Sequence, residues 1–141
     1  MDYEVSTEIE ATAARVWAVL AEMGTWPEWT KSMREVTPLG DGPLGEGSRV
    51  RVRQPSLPTV VWTIGDWQPE RRFTWESSSP GVATAADHEL RPDGDRTAVV
   101  LRIRQSGLLA PLVHRLIGKR TRSLMQMEAD GLKARAEAAH S

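Results

Sequence analysis

The sequence predicts an α+β fold of the order β-α-α-β6-α, in which an antiparallel sheet of about seven strands precedes one long C-terminal helix. Alternating apolar and polar residues recur in short segments, and connections rich in Gly, Pro and Asp separate most of them. After Gly107 the pattern changes to helical spacing. Because strands and helices do not alternate, a doubly wound α/β sheet is excluded.

The length and composition indicate one domain, residues 1–141, large enough to bury a single core. An apolar content of 40% and a charged content of 26% are ordinary for a soluble protein. No cysteine is present to form a disulfide, a thiol nucleophile or a thiolate metal site. The net charge of −1 gives no reason to expect nucleic acid or an anionic membrane as partner.

The N-terminal segment MDYEVSTEIE is acidic and strand-like, unlike a signal peptide. No apolar run approaches the ~18 residues of a membrane span. We therefore expect a cytoplasmic protein without integral membrane association. The unusual feature of the composition is its aromatic content, with six tryptophans but only one tyrosine and one phenylalanine. So many indole rings should line a core, a cavity or an interface.

The N-terminal third begins with a half-buried strand over Tyr3–Ile9. Thr12 is placed to cap a short amphipathic helix that Gly24 ends. A second helical turn over Trp26–Ser32 leads into a strand over Met33–Leu39.

Five further strands follow, and their short connections predict an antiparallel meander. They are Ser48–Gln54, Val60–Gln68, Arg72–Ser79, Val82–Arg91 and Thr97–Ser106.

The long helix is predicted over Leu108–Ala139, with Pro111 near its start, where its missing N–H does no harm. Gly118 marks a point where it could break, and Gly131 one where it could approach the sheet closely. At ~100° per residue, one apolar stripe forms. Its members are Leu109, Val113, Leu116, Leu124 and Met127.

This order of elements resembles the helix-grip, START-like superfamily (SRPBCC), which includes polyketide cyclases, dehydrases and lipid-transport proteins. The pair Val16–Trp17, the segment Trp26–Pro27–Glu28–Trp29 and the segment from Gln54 to Trp75 are similar to the corresponding parts of that family. The resemblance implies a curved sheet wrapped around the C-terminal helix, with a ligand cavity between them. It leaves function open, because such folds host enzymes, carriers and regulators.

Two motifs are better explained by structure than by a cofactor or metal. The segment Gly40–Gly45 reads G-x-G-x-x-G, but Pro43 lies inside it and a strand follows, so we interpret it as a hairpin loop. His88 stands between Asp87 and Glu89, which point to the opposite face of a strand and cannot chelate one ion with it. His114 and His140 add no cluster, and we expect neither a metal nor a cofactor.

Three polar residues are candidates for chemistry in the cavity. His88 could orient a ligand hydroxyl or shuttle a proton, or it could simply be tied to a neighbouring group. Arg120 lies in the predicted apolar stripe, where it would either face a wet cavity or reach its mouth or an internal acid. Glu128 flanks the same face.

The remaining candidates are apolar or aromatic walls, each of which could instead belong to the core. The complete set predicted to bind ligand is Trp29, Met33, Gln54, Trp62, Trp75, His88, Leu101, Ile103, Arg120, Leu124 and Glu128.

Two basic series are interpreted as solvated faces. Arg49, Arg51 and Arg53 alternate on one strand face and protect the sheet from edge pairing. The row formed by Arg115, Lys119 and Arg122 belongs to the wet side of the long helix, with contact to a membrane or partner as the alternative.

The first functional hypothesis is therefore binding of a small hydrophobic or amphipathic molecule, which could be polyketide-like, aromatic or lipid-derived. The alternative is an aromatase, cyclase or dehydratase that uses cavity polar residues. A further alternative is a stress- or chaperone-related interaction module. Because no nucleophile–base–orienter set is visible, catalytic residues remain unassigned, as does the choice between monomer and dimer.

Overall fold

The computed structural model describes residues 2–138, and these form a seven-stranded sheet, two α-helices and one short 3₁₀ helix. The helices are α1 (Ala13–Ala21), the 3₁₀ helix (Met23–Glu28) and α2 (Ala110–Ala138). The strands are β1 (Asp2–Ile9), β2 (Glu35–Leu39), β3 (Arg49–Arg53), β4 (Val60–Gln68), β5 (Arg72–Ser79), β6 (Val82–Asp93) and β7 (Arg96–Ser106).

All strand pairs are antiparallel, in the spatial order β1-β7-β6-β5-β4-β3-β2. Six successive strands therefore form a meander, and β1 closes its far edge against β7. The predicted fold is confirmed: an antiparallel sheet with a long C-terminal helix packed across it. The bounds predicted for β4 and β5 agree with the structure, and β6 extends two residues beyond its predicted end.

The N-terminal helices are held by specific polar contacts. Thr12 caps α1 as predicted, since its Oγ1 accepts a hydrogen bond from the Arg15 N–H at 3.3 Å. The helix ends at Ala21, and the following turn begins at Met23, three residues before its predicted start. The indole N–H of Trp26 donates to the Leu20 carbonyl at 3.0 Å, which fixes this fully buried ring beneath α1.

The rotation predicted for α2 is only partly right. Val113 and Leu124 line the cavity, but Leu116 is 71% exposed, and Met127 and Arg120 also lie on the outer side. Leu109, which precedes the helix, is exposed as well. The inner side instead carries small and polar residues among its apolar ones, which allows close packing. Its buried members are Ala110, Gly118, Thr121, Leu124, Met125, Glu128, Ala129, Leu132 and Ala136.

Two glycines of α2 allow close approach of other elements. At Gly131 a methyl group would collide with the backbone carbonyl of Trp29, so the close neighbour is the end of the 3₁₀ helix and not the sheet. The helix continues through Gly118 without a break, and a Cβ there would lie 3.0 Å from Tyr3 Oη. The predicted helix end, Ala139, and His140 lie outside the described residues.

The core lies between the concave face of the sheet and the three helices. Its fully buried side chains include Ile9, Leu20, Trp26, Phe73 and Leu132. Within residues 2–138, neither α-helix has the long apolar stretch that crossing a bilayer requires. The core is continuous except on the α2 side of β4 to β7, where a cavity remains.

Candidate functional site

A cavity of about 380 Å³ separates the concave face of the sheet from α2. Strands β4 to β7 form its floor, and α2 covers it from Val113 to Glu128. The connection between β3 and β4, through Leu57, Pro58 and Thr59, forms one side. The predicted cavity between sheet and C-terminal helix is therefore present.

The strand register divides the floor into layers, because residues two apart on a strand share a face. From the closed end these layers are Phe73–His88–Leu101, Trp75–Ala86–Ile103 and Ser77–Thr84–Gln105. The first layer is buried, and Ser77, Thr84 and Gln105 are only half-buried. The cavity thus opens towards the β5–β6 turn and the N-terminal half of α2.

The closed end contains a buried polar pair. His88 Nε2 lies 3.1 Å from Glu128 Oε2, and the two residues are only 4% and 7% exposed. An ionised Glu128 carboxylate can only accept, so with that carboxylate the Nε2–H of His88 is the donor. His88 Nδ1 is buried and finds no hydrogen-bond partner among the described residues. In a neutral imidazole, Nδ1 is then a buried acceptor without a partner in this part of the chain.

Aromatic rings fix the orientation of His88. Its imidazole stacks on Phe73, with ring centroids 4.1 Å apart and planes 10° from parallel. The edge of Trp75 contacts it at 5.5 Å, and Trp26 lies 5.8 Å away. The ring therefore has little freedom to rotate, and its Nε2 remains directed at Glu128.

Trp62 and Trp75 form an aromatic wall next to this pair. Their rings stack at 5.5 Å with an interplanar angle of 19°, and both line the cavity. Such a wall suits a flat apolar ligand. Gln54 lies on the same side, and its amide donates to the Ser32 carbonyl at 3.3 Å, which anchors the β3–β4 connection.

Nine of the eleven residues predicted to bind ligand line the cavity. They are Met33, Gln54, Trp62, Trp75, His88, Leu101, Ile103, Leu124 and Glu128. A role of any of them in binding a ligand stays a prediction.

Trp29 and Arg120 are not among the lining residues. Trp29 is half-buried at the end of the 3₁₀ helix, where its ring lies 5.6 Å from that of Trp26. Arg120 is exposed, and its guanidinium donates to Ser56 Oγ at 2.9 Å. Of the two alternatives for Arg120, the structure disfavours the one in which it faces the cavity, because the rotation of α2 turns it outwards to the β3–β4 connection.

Several lining residues were missed. Ser77 and Thr84 share strand faces with Trp75 and His88, so alternation alone could have identified them. Thr121 and Met125 were missed because the predicted helix phase placed them off the inner face. The hydroxyls of Ser77 and Thr84 lie towards the open end of the cavity, and that of Thr121 lies on its α2 side.

The site offers acid–base and hydrogen-bonding groups. Within residues 2–138, no three His, Asp or Glu side chains are grouped so as to hold a metal ion. The pair His88–Glu128 can hold or move one proton, and the Ser77, Thr84 and Thr121 hydroxyls can donate or accept hydrogen bonds.

Residues 1–137 match the model of the family described as polyketide cyclase / dehydrase and lipid transport. No protein of curated function has a sequence that matches the chain.

Solved structures share the fold at low sequence identity. A Thermus thermophilus protein, TTHA0849, is 20% identical with a TM-score of 0.79, and the alignment covers 100% of both chains. A START superfamily protein from Mycobacterium smegmatis is 14% identical with a TM-score of 0.75, covering 98% of each chain. The Zhui aromatase/cyclase from Streptomyces sp. R1128 is 19% identical with a TM-score of 0.72, covering 100% of this chain and 96% of its own.

Proposed function

Since the chain belongs to the polyketide cyclase / dehydrase and lipid transport family, we propose that it binds one small amphipathic molecule in the cavity between sheet and α2. The observation that carries this proposal is a cavity, closed at one end and open at the other, with apolar walls and a few polar groups. Its volume of about 380 Å³ lies within the range of small-molecule sites, roughly 300–1,000 Å³.

The lining favours a ligand that is flat, with a polar atom at its inner end. Trp62 and Trp75 provide an aromatic wall, and a hydroxyl that reached the buried His88 Nδ1 would meet a nitrogen without a hydrogen-bond partner among the described residues. Because an unpaired buried polar atom costs free energy, a ligand hydroxyl that donates to Nδ1 would be favoured over an apolar one of the same shape. We therefore expect a phenol or enol to bind more tightly than the matching hydrocarbon.

The test compares two neighbouring alanines on opposite faces of β6. Ala86 lies on the cavity floor, between Trp75 and Ile103 in the register, whereas Ala85 points to the other face of the sheet. Ala86→Leu should fill the cavity and weaken binding at least tenfold, and Ala85→Leu should leave affinity unchanged. Naphthol is the aromatic probe and palmitate the lipid-derived one, with quenching of Trp fluorescence and native mass spectrometry as readouts.

The two probes distinguish the ligand classes. Tighter binding of naphthol supports an aromatic ligand, and tighter binding of palmitate supports a lipid-derived one. The proposal is wrong if neither probe binds, or if Ala86→Leu and Ala85→Leu bind both probes equally well.

A second candidate function, a cyclase or dehydratase, is favoured by the His88–Glu128 pair. A neutral His88 could take a proton from a carbon beside a ligand carbonyl, and the Glu128 carboxylate would stabilise the resulting imidazolium. This arrangement needs both residues, whereas simple binding needs neither to change its protonation state.

Deuterium exchange separates the two functions. An aryl methyl ketone should exchange its methyl hydrogens for deuterium faster with the protein than with buffer, as followed by NMR. His88→Gln should abolish the acceleration while retaining ketone binding. An exchange rate that is the same for the wild type, His88→Gln and buffer would leave the protein as a carrier.

A further inference from the structure

The largest exposed apolar side chains of the described residues are concentrated in the turn before α2 and in its first two turns. Leu108, Leu109, Leu112 and Leu116 are between 45% and 95% exposed. Elsewhere in residues 2–138, the one other large hydrophobic side chain that is comparably exposed is Met127, also on α2. We call these four leucines the leucine surface. Single exposed leucines are ordinary, but four within nine residues form a patch of the kind that marks interaction sites.

Cations flank the leucine surface. At ~100° per residue, Leu112 and Leu116 lie at the centre of the outer side of α2, with Arg115 and Lys119 along one edge. Arg122 continues that edge, and Arg120 lies on the opposite one. All four cations are exposed.

The charge of this part of the chain differs from that of the whole. The chain has a net charge of −1, yet residues 108–127, which carry the leucine surface, contain four Arg or Lys and no Asp or Glu. Within the described residues, the Arg and Lys side chains of α2 that form ion pairs are Lys133 and Arg135, not Arg115, Lys119 or Arg122. One acid, Asp2, lines the shallow depression that these three cations share. The surface therefore complements a partner that is both anionic and apolar.

The leucine surface also borders the open end of the cavity. Leu109 packs on Gly81 in the β5–β6 turn, and its N–H donates to the Gly81 carbonyl at 2.8 Å. Val113 and Ile117 alternate with the exposed leucines along α2 and line the cavity from its other side. One helix segment thus presents leucines outwards and cavity walls inwards.

We propose that the leucine surface docks on an anionic lipid membrane, with α2 lying in the plane of the headgroups. An apolar stripe flanked by Lys and Arg is typical of helices that lie in that plane, where leucines enter the acyl boundary and the long cationic side chains reach anionic headgroups. Docking would place the cavity mouth at the membrane. This role does not depend on which molecule the cavity binds.

A second copy of the chain is the less favourable occupant. A two-fold contact centred on Leu112 and Leu116 would place Arg115 and Lys119 of both copies in one interface, where like charges repel. An anionic membrane removes that repulsion and buries the same leucines.

The experiment is co-sedimentation of the full chain with vesicles of phosphatidylcholine alone or of equal parts phosphatidylcholine and phosphatidylglycerol. We expect binding to the anionic vesicles that weakens as salt is raised, and little binding to the neutral ones.

Leu108→Ser/Leu112→Ser/Leu116→Ser should abolish sedimentation. Lys119→Gln and Arg122→Gln should each weaken partitioning roughly fivefold, the effect of one cation near such a surface. Arg49→Gln, on the sheet and away from α2, is the matched control and should bind as wild type.

Thermal melts should show that all variants fold, because every substituted side chain is exposed. Three outcomes would overturn the proposal. The first is no sedimentation with either vesicle type. The second is equal binding by the leucine variant and the wild type. The third is a dimer in sedimentation equilibrium that the leucine substitutions dissociate, since it would assign the surface to a second copy.

Discussion

His88 and Glu128 join the sheet to α2 through a hydrogen bond of 3.1 Å between residues 40 positions apart in the chain. Both side chains are buried, and they belong to β6 and to the inner side of α2. Because the pair closes the inner end of the cavity, its loss should affect both stability and ligand binding.

We predict that His88→Ala destabilises the fold by about 2–4 kcal/mol, since it leaves a buried carboxylate without its partner and opens a void beside Phe73. His88→Phe/Glu128→Leu, which replaces both partners by apolar groups, should cost much less than the single change. Urea unfolding monitored by circular dichroism measures both. If the single and double variants were equally destabilised, the pair would contribute through packing alone.

Three glycines differ in how much space surrounds them, so replacing each by alanine should cost a different amount of stability. Gly131→Ala should destabilise by about 3 kcal/mol or more, because the added methyl collides with the backbone carbonyl of Trp29, which cannot move aside as a side chain can. At Gly118 the neighbour is Tyr3 Oη at 3.0 Å, so Gly118→Ala should cost less. Gly45→Ala, with open space around it and no positive φ, is the control and should be nearly neutral. Thermal denaturation of the three variants should follow that order.

A carboxyl group on the outer face of the sheet, that of Glu89, should make the free energy of unfolding depend on pH in the acid range. Burial raises the pKa of Glu89, but hydrogen bonds from Arg91 and Arg102 outweigh that effect and hold the pKa below its usual value. A carboxyl group with a lowered pKa in the folded state stabilises the fold above its unfolded pKa, and this contribution disappears as the pH falls through the folded pKa. Stability should therefore decrease below about pH 4.5.

Glu89→Gln isolates this contribution. The substitution should reduce stability at neutral pH by no more than about 1 kcal/mol, since the group is partly solvated. It should also flatten the loss of stability between neutral and acid pH. Urea midpoints measured across this range provide the comparison. If the urea midpoints of Glu89→Gln and the wild type fell in parallel as the pH is lowered, other carboxylates would cause the loss of stability in acid.

Strand faces could be read from the sequence because the side-chain period of a strand is two and its ends are marked by turns. Trp75 and His88 were placed on the cavity side in this way, and the register puts them in adjacent layers. The His88–Glu128 pair could not be anticipated, because its geometry depends on how α2 crosses the sheet. No local pattern specifies that crossing.

The rotation of α2 was predicted only in part for a related reason. A helix normally buries its most apolar stripe, and on that assumption Leu116 was predicted to face the core. In this chain Gly131, Ala129 and Ala136 allow the helix to lie close to the rest of the core, and they set its rotation. The leucines therefore face the solvent, and so does Arg120.

Leu116 and Leu124 lie about two turns apart on α2, but Leu116 is exposed on its outer side and Leu124 is buried on its inner side. Substituting each of them therefore compares the two sides. Leu124→Asp should destabilise by about 3 kcal/mol or more, because it places an unpaired carboxylate on a side chain that is 5% exposed. Leu116→Asp should change the free energy of unfolding by less than about 0.5 kcal/mol, since that side chain already contacts water. Urea unfolding in the absence of lipid is the appropriate measurement, because a membrane would favour leucine at position 116. Comparable destabilisation by both variants would mean that the outer side of α2 is covered in solution, in contradiction to its exposure here.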